Sequence, residues 1–302
     1  MKQIDVTVAQ KVANLLNRYI TFRKGEVPDG WEKLFADGRQ HVEYQLNDLL
    51  KINLYKDSKL AKLIYEQFEE AEKQFISNFL RPGDVFFDIG ANIGLHSLYA
   101  AEALKDSGAI YAFEPTPVTF NRLRENVTLN HFQSMANTYN MGLSNKKDKL
   151  NFHISNSGYD AWNSFANLQH VPLETSIQAS VLRFDEFVTE HAVNYRQIAL
   201  IKVDVEGWEL PVLEGMGDFL EQEDFKTCFM IEFTEENVFR AGYSCRDLYN
   251  FMTDKGYEWF VYDTASNRLV PSPMKAYYPY ENLIAVKKTQ LQPIRNRIAI
   301  AP

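Results

Sequence analysis

Apolar residues change their spacing at Gly83. Before it the spacing is mostly helical. Residues 4–20 place Val8, Val12, Leu15, Leu16, Tyr19 and Ile20 on one face and predict an amphipathic helix. Residues 21–40 are interrupted by Gly25, Pro28, Gly30 and Gly38 and read as a linker. Alternation in HVEYQL and KINLY, on either side of Asn47-Asp48, predicts a hairpin from His41 to Tyr55. From Leu60, the positions Leu63, Ile64, Phe68, Ala71, Phe75, Ile76 and Phe79 describe one long helix. Arg81-Pro82-Gly83 stops it.

After Gly83 short apolar runs alternate with helical patterns. VFFDIG, AIYAFE, IALIKVD and TCFMIEF are apolar on successive positions, as expected of strands buried on both faces. NTYNMGL is a weaker strand between the second and third of these, and YEWFVY and NLIAVK are two more near the end. Helices are expected at LHSLYAAEALK, at Val118 to Asn130 behind a Thr116-Pro117 cap, at Glu209 to Met216, and at Cys245 to Lys255 between Ser244 and Gly256. The alternation predicts an α/β fold: a doubly wound, mainly parallel seven-stranded sheet with a helical and hairpin N-terminal extension. The expected units are an extension or lid over 1–80, a ligand-binding domain over 81–290 and a tail over 291–302. Residues 150–187 break the rhythm, with two extra strands around SGYDAWNSF, and read as a substrate-facing insertion.

Composition narrows the function. Over 302 residues, 32 Lys+Arg against 40 Asp+Glu give a net charge of −8. That disfavours a nucleic-acid backbone as partner. Two cysteines, Cys228 and Cys245, form no disulfide framework or zinc pattern. No apolar run is long enough for a membrane span, and the N-terminus does not read as a signal peptide. The expectation is a soluble, cytoplasmic protein.

The sharpest chemical feature is Asp88-Ile89-Gly90-Ala91-Asn92-Ile93-Gly94, running from the first buried strand into a helix. Glycines let backbone turn tightly beneath a ligand, and helix amides beyond Gly94 suit a carboxylate. The dinucleotide fingerprint would place a glycine where Asn92 stands, and a pyrophosphate would meet Asp88 badly. A ligand carrying ammonium and sulfonium groups fits that aspartate, and S-adenosylmethionine has both, with a carboxylate and no phosphate. Glu114 ends the next strand about twenty residues beyond Gly94, the place of an acid that chelates ribose hydroxyls. Lys202-Val203-Asp204-Val205-Glu206-Gly207 ends the fourth buried strand. In a 3-2-1-4-5 sheet that strand neighbours the first, so Asp204 and Glu206 are expected beside the methyl donor.

GDVFFDIGANIGLHSLYAA (83–101), AFEPTPVTFNRLRENVTLN (112–130) and IKVDVEGWELPVLEGM (201–216) resemble the FkbM family of S-adenosylmethionine-dependent methyltransferases, as do the preceding helix and the closing NLIAVKK. The resemblance spans roughly residues 50–290. It implies a class I, Rossmann-like methyltransferase fold whose last strand is antiparallel. It implies O-methylation of sugar or secondary-metabolite hydroxyls, with N-methylation of a peptide side chain or amine as the alternative. By motif match, Asp88, Gly90, Ala91, Asn92, Gly94, His96 and Ser97 belong to the methionine end. Glu114 and Pro115 belong to the ribose, and Asn140 to Leu143, with Gly142, to the adenine. Residues 1–45 have no counterpart in the family and are open to a role in a lid or homo-oligomer.

An alcohol acceptor needs a base or a metal in reach. Asp204 is the candidate base, also within reach of the donor, with Glu206 second and Lys202 orienting them. Asp204 and Glu206 alternatively hold a divalent cation. Asp204 also reads as a plain ion-pair partner of Lys202, since residues two apart on a strand share a face. His96 and His153 are weaker base candidates. Tyr159, Trp162 and Trp208 are candidate walls for the acceptor, a small molecule, glycan or peptide. Glu69 and Glu72 are expected near the cofactor mouth. A nicotinamide oxidoreductase is disfavoured by Asp88 and Asn92, and a non-catalytic cofactor-binding module by the intact Asp204 and Glu206.

Overall fold

The structure, a computed structural model, describes residues 30–155, 164–165, 173–223 and 226–301. The helix expected at 4–20 and the loop aromatics Tyr159 and Trp162 lie outside the described residues. The chain enters through α1 (Trp31–Leu34) and a hairpin of β1 (His41–Gln45) and β2 (Lys51–Tyr55). Asn47 Oδ1 accepts from the backbone N–H of Leu49 and Leu50 at 2.9 and 2.8 Å, closing the turn where an Asn-Asp pair is expected to do so.

The single helix expected from residue 60 to 79 is two, α2 (Lys59–Tyr65) and α3 (Glu70–Phe79). Between them Gln67 and Glu69 take left-handed φ angles of 64° and 55°. The Tyr280 hydroxyl donates to the displaced Glu69 carboxylate, so a tertiary contact holds a break that local sequence does not encode.

Strands and helices then alternate: β3 (Val85–Ile89), α4 (Leu95–Leu104), β4 (Ala109–Phe113), α5 (Pro117–Leu129) and β5 (Ala136–Tyr139). An insertion follows, with β6 (Gly142–Leu143), β7 (Asp148–Ser155) and β8 (Leu173–Leu182), then α6 (Phe184–Glu190). The core resumes with β9 (Ile198–Val203), α7 (Glu209–Glu214), β10 (Cys228–Phe233), α8 (Glu235–Arg240) and α9 (Cys245–Asp254). The chain ends through β11 (Tyr257–Asp263), β12 (Arg268–Pro271), β13 (Glu281–Lys287), α10 (Leu291–Arg295) and β14 (Ala299–Ile300).

The main sheet has the order β14-β12-β11-β13-β10-β9-β3-β4-β5. β5, β4, β3, β9 and β10 are parallel, and β13 runs antiparallel between β10 and β11. Those seven strands keep the order 3-2-1-4-5-7-6. The sheet is nine strands wide, not seven, because β12 pairs with β11 and β14 with β12. Residues after 290 therefore join the fold, and the Arg297 guanidinium grips the Asp84 carboxylate at the entry to β3. The strand expected over 137–143 also divides. β5 stays in the main sheet, while β6 pairs with β8 in a separate sheet of order β6-β8-β7.

β3, β9 and β10 are buried at every position, so adjacent residues feed opposite cores. Phe86 packs in one cluster with Phe75, Phe79, Leu200 and Met230, and Phe87 in another with Phe113, Phe187 and Ile201. A third cluster joins hairpin residues Val42, Leu50, Ile52 and Leu54 to Ile93, Leu95 and Leu98 beside the glycine turn. Among the described residues no helix is long and apolar enough to cross a membrane.

Candidate active site

Between β3 and β9 the chain connections diverge to opposite sides of the sheet, which opens a crevice at the strands' C-terminal ends. A cleft of about 920 Å³, its open mouth included, lies there. Gly90 turns over β3 with φ +83°, and a Cβ on it would stand 1.8 Å from the Asp204 carbonyl oxygen. Only a glycine lets the two strand ends close to this distance. The turn is pinned by Gly90 and Ala91 N–H donating to the Phe113 carbonyl at 3.1 and 2.9 Å, and by Asp204 N–H donating to the Ile89 carbonyl at 3.1 Å.

Under the turn sits Lys202, 2% exposed. Its Nζ is 3.0 Å from Asp204 Oδ2 and 3.6 Å from Asp88 Oδ1, and donates to the Gly90 carbonyl at 3.3 Å. Burial alone lowers the pKa of this amine, but the attraction of Asp204, Asp88 and Glu69 outweighs it and raises the value. The charged ammonium is therefore a fixed part of the site.

Not every expected residue reaches the cleft. Gly90, Ala91, Asn92, His96, Glu114, Pro115, Gly142, Lys202, Asp204 and Glu206 line it. Asp88 does not: it is wholly buried beneath the turn, where its Oδ2 accepts from Ser97 Oγ at 2.7 Å. Asp88 and Ser97 thus support the floor instead of forming it. Gly94 starts α4 against Leu123, where a Cβ would come within 2.7 Å of Leu123 Cδ1. The Asn140 amide turns away from the cleft to hold the carbonyls of Glu114 and Pro115 at 2.9 and 3.0 Å. Trp208 donates through Nε1 to Ser144 Oγ at 3.2 Å and packs on Phe165, outside the wall. His153 bridges to Ser164 through the backbone as a strand residue.

At the end of β4, the Glu114 carboxylate is buried and accepts from Thr116 N–H at 2.8 Å. On the opposite side, Glu69, His96 and Tyr280 close the wall, whereas Glu72 turns to Asn282. Burial, then Glu72 and Asp204, push the Glu69 carboxyl up to about 8. Burial, then Lys202 and Lys73, push His96 well below 6.5. His96 Nε2 lies 3.3 Å from Glu69 Oε2 without hydrogen-bond alignment, so the pair is a neutral contact, not an ion pair.

The turn after β9 is rigid. Glu206 has φ 54°, and Gly207, φ +96°, packs so that a Cβ would meet the Asn237 carbonyl at 2.3 Å. Glu209 Oε1 accepts from Val205 and Gly207 N–H at 3.0 and 3.1 Å. Burial outweighs those bonds and raises the Glu209 carboxyl to about 7. Asn237 Nδ2 donates to Glu206 Oε2 at 2.6 Å. Glu232 on β10, which the sequence reading did not single out, brings a third carboxylate within 4.8 Å of those of Asp204 and Glu206. An acid inside the otherwise apolar run TCFMIEF was the available signal. Tyr280, Phe152 and Phe165 line the cleft without any comparable signal.

The donor set suits a cationic adenosyl ligand. Among the described lining residues Lys202 is the one lysine or arginine, and it is engaged by acids, so nothing there is placed to neutralise a pyrophosphate. A glycine turn on the first strand, an acid on the second and this strand order define a Rossmann-like fold of the class I methyltransferase type. The family model "Methyltransferase FkbM domain" matches residues 88–259, and the chain belongs to the FkbM methyltransferase family.

The 31-O-demethyl-FK506 methyltransferase FkbM of Streptomyces tacrolimicus is 32% identical over 164 residues, 46% of this chain and 62% of that protein. The hexuronic acid methyltransferase AglP of Haloferax volcanii is 28% identical over 223 residues, 73% of this chain and 82% of that one. The crystal structure of a methyltransferase FkbM from Methylobacillus flagellatus superposes with a TM-score of 0.43 at 17% identity, over 73% of this chain and 49% of that chain.

Proposed function

We propose that this protein transfers the methyl group of S-adenosylmethionine to a hydroxyl of a sugar or secondary metabolite. The observation that carries the reading is one cleft with a glycine-turn and Glu114 side and an Asp204–Glu206 side, joined beneath by Lys202. Relatives named for a hexuronic acid and for 31-O-demethyl-FK506 support an oxygen acceptor.

When bound, S-adenosylmethionine supplies a methyl carbon on a sulfonium; the carbon passes to the acceptor oxygen while the C–S electron pair stays on sulfur. The residues do the rest. The Gly90–Asn92 backbone receives the methionine portion above the buried Asp88–Lys202–Asp204 network that holds the turn. The Glu114 carboxylate takes the ribose hydroxyls, and Pro115 and Gly142 flank the base. Residues 30–80 supply Leu60, Phe68 and Glu69 to the wall, the place of a fixed lid that helps exclude water. Asp204 receives the acceptor proton. Lys202 holds its Oδ2, and no other side chain among the described residues bonds the carboxylate, leaving the second oxygen for the acceptor.

S-Adenosylhomocysteine is expected to raise the melting temperature and NAD to leave it unchanged. Asp204→Asn is expected to keep that stabilisation and to lower methyl transfer to an alcohol by about 10²–10⁴-fold. Absence of the S-adenosylhomocysteine shift overturns the donor assignment. Full activity of Asp204→Asn overturns the base and favours an amine acceptor.

A further inference from the structure

We propose that Asp204, Glu206 and Glu232 bind one divalent cation of the hard, oxygen-preferring class, magnesium or manganese(II), at the acceptor end of the cleft. The inference rests on the methyl-transfer reading for its purpose, not for its geometry. β9 and β10 pair in parallel with Ile231 opposite Val203, so the next residues, Glu232 and Asp204, emerge side by side. The left-handed Glu206 turn brings a third carboxylate to them, and oxygens of all three lie within 4.8 Å of one another.

Charged side chains balance this cluster only in part: Arg240 attracts Glu206 without reaching ion-pair distance. Lys202 serves Asp204 and Asp88, and no lysine or arginine among the described residues forms an ion pair with Glu206 or Glu232. A separate observation comes from hydrogen bonding. Glu232 is 2% exposed, and its Oε1 accepts from Thr234 Oγ1 at 2.7 Å and Asn237 Nδ2 at 3.5 Å. Its Oε2 is buried with no partner. A buried carboxylate oxygen without a donor is costly and calls for a proton or a cation. Three carboxylates without cysteine or histidine select magnesium or manganese over zinc. Asn237 bonds both Glu206 and Glu232 and so fixes the ligand oxygens from outside.

Asp204 and Glu206 line the cleft with Glu232 behind them, so the cation's remaining positions face the acceptor. Two adjacent oxygens on that acceptor, as in a vicinal diol or a hydroxyl beside a carboxylate, would fill them. A hydroxyl held there is more acidic, which offsets the weaker basicity of Asp204 once its carboxylate ligates the cation.

The test uses the full chain stripped with EDTA and titrated with manganese(II), following the free ion by electron paramagnetic resonance, with magnesium as competitor. One ion per chain is expected. Glu232→Gln and Glu206→Gln are each expected to weaken binding at least about tenfold while keeping the S-adenosylhomocysteine thermal shift. Absence of bound manganese overturns the proposal and shows that a proton serves Glu232. Manganese binding unchanged in both variants places the ion elsewhere and also overturns it. If Glu232→Gln does not fold, Glu206→Gln on the accessible side decides. A thermal shift without manganese refutes the cation site alone; manganese without a thermal shift refutes the donor reading alone.

Discussion

Glu69 links the protonation of one buried side chain to the behaviour of the cleft. Its carboxyl has an ordinary value of 4.5 and is raised to about 8, first by burial and then by the negative neighbours Glu72 and Asp204. Between these values the folded state holds a proton that the unfolded chain has released, so stability falls as pH rises. The contribution is complete below pH 4.5 and is lost as pH passes through 8. Glu69→Gln removes the titration but keeps a neutral hydrogen-bonding group for Tyr280. Melting temperature measured from pH 5 to 9 is expected to decline less steeply in Glu69→Gln than in the wild type. Parallel curves would mean that Glu69 is already ionised at neutral pH. Lys202 shows the opposite arrangement: its partners raise its pKa, and it stays charged across the same range.

The glycine turn between β3 and α4 is the element in which fold and site are least separable. A Cβ on Gly90 would sit 1.8 Å from the Asp204 carbonyl, and the φ of +83° is itself unfavourable for any other residue. Gly90→Ala must part β3 from β9 or unwind the turn. The expected cost is about 2–5 kcal/mol from clash and backbone strain together, read by chemical denaturation, with loss of the S-adenosylhomocysteine shift. Much of this was legible beforehand. A strand buried on both faces writes itself as a continuous apolar run, and β3, β9 and β10 lie where such runs stand; β4 also forms where its run stands, but Ala109 and Tyr111 on it are only half-buried. The glycines of the turn and the acids after β9 follow from chemistry at strand ends.

What escaped depends on distant contacts. The break before Glu69 is held by Tyr280, more than 200 residues away along the chain. β12 and β14 are short strands at one margin of the sheet without periodicity of their own. Asp88 was expected on the ligand, yet the chain reversal at Gly90 hides it, and only three-dimensional placement reveals that Lys202 carries its charge into the floor.

At the scale of the whole molecule, the N-terminal hairpin and the glycine turn share one connector. Asn126 on α5 is fully buried. Its Oδ1 accepts from Asn53 N–H in β2 at 2.8 Å, and its Nδ2 donates to the Ile93 carbonyl beyond the turn at 2.8 Å. The apolar cluster beneath joins the same two regions through Leu50, Ile52, Ile93 and Leu98. A ligand seated on the turn therefore bears on an element that does not itself line the cleft. Ligand at a hundred times its dissociation constant stabilises the folded state by about 2.7 kcal/mol, and this coupling extends that protection to the hairpin. Hydrogen exchange of residues 41–55 is expected to slow when S-adenosylhomocysteine binds the wild type. Asn126→Ala leaves the buried Ile93 carbonyl unpaired, at about 1–3 kcal/mol, and removes the acceptor of the half-buried Asn53 N–H. It should lower stability and weaken S-adenosylhomocysteine, whereas Asp204→Asn should not weaken it. Hairpin protection should then no longer respond to the ligand. Hairpin exchange indifferent to ligand in the wild type would show that residues 30–80 pack on the catalytic fold without sharing its energetics.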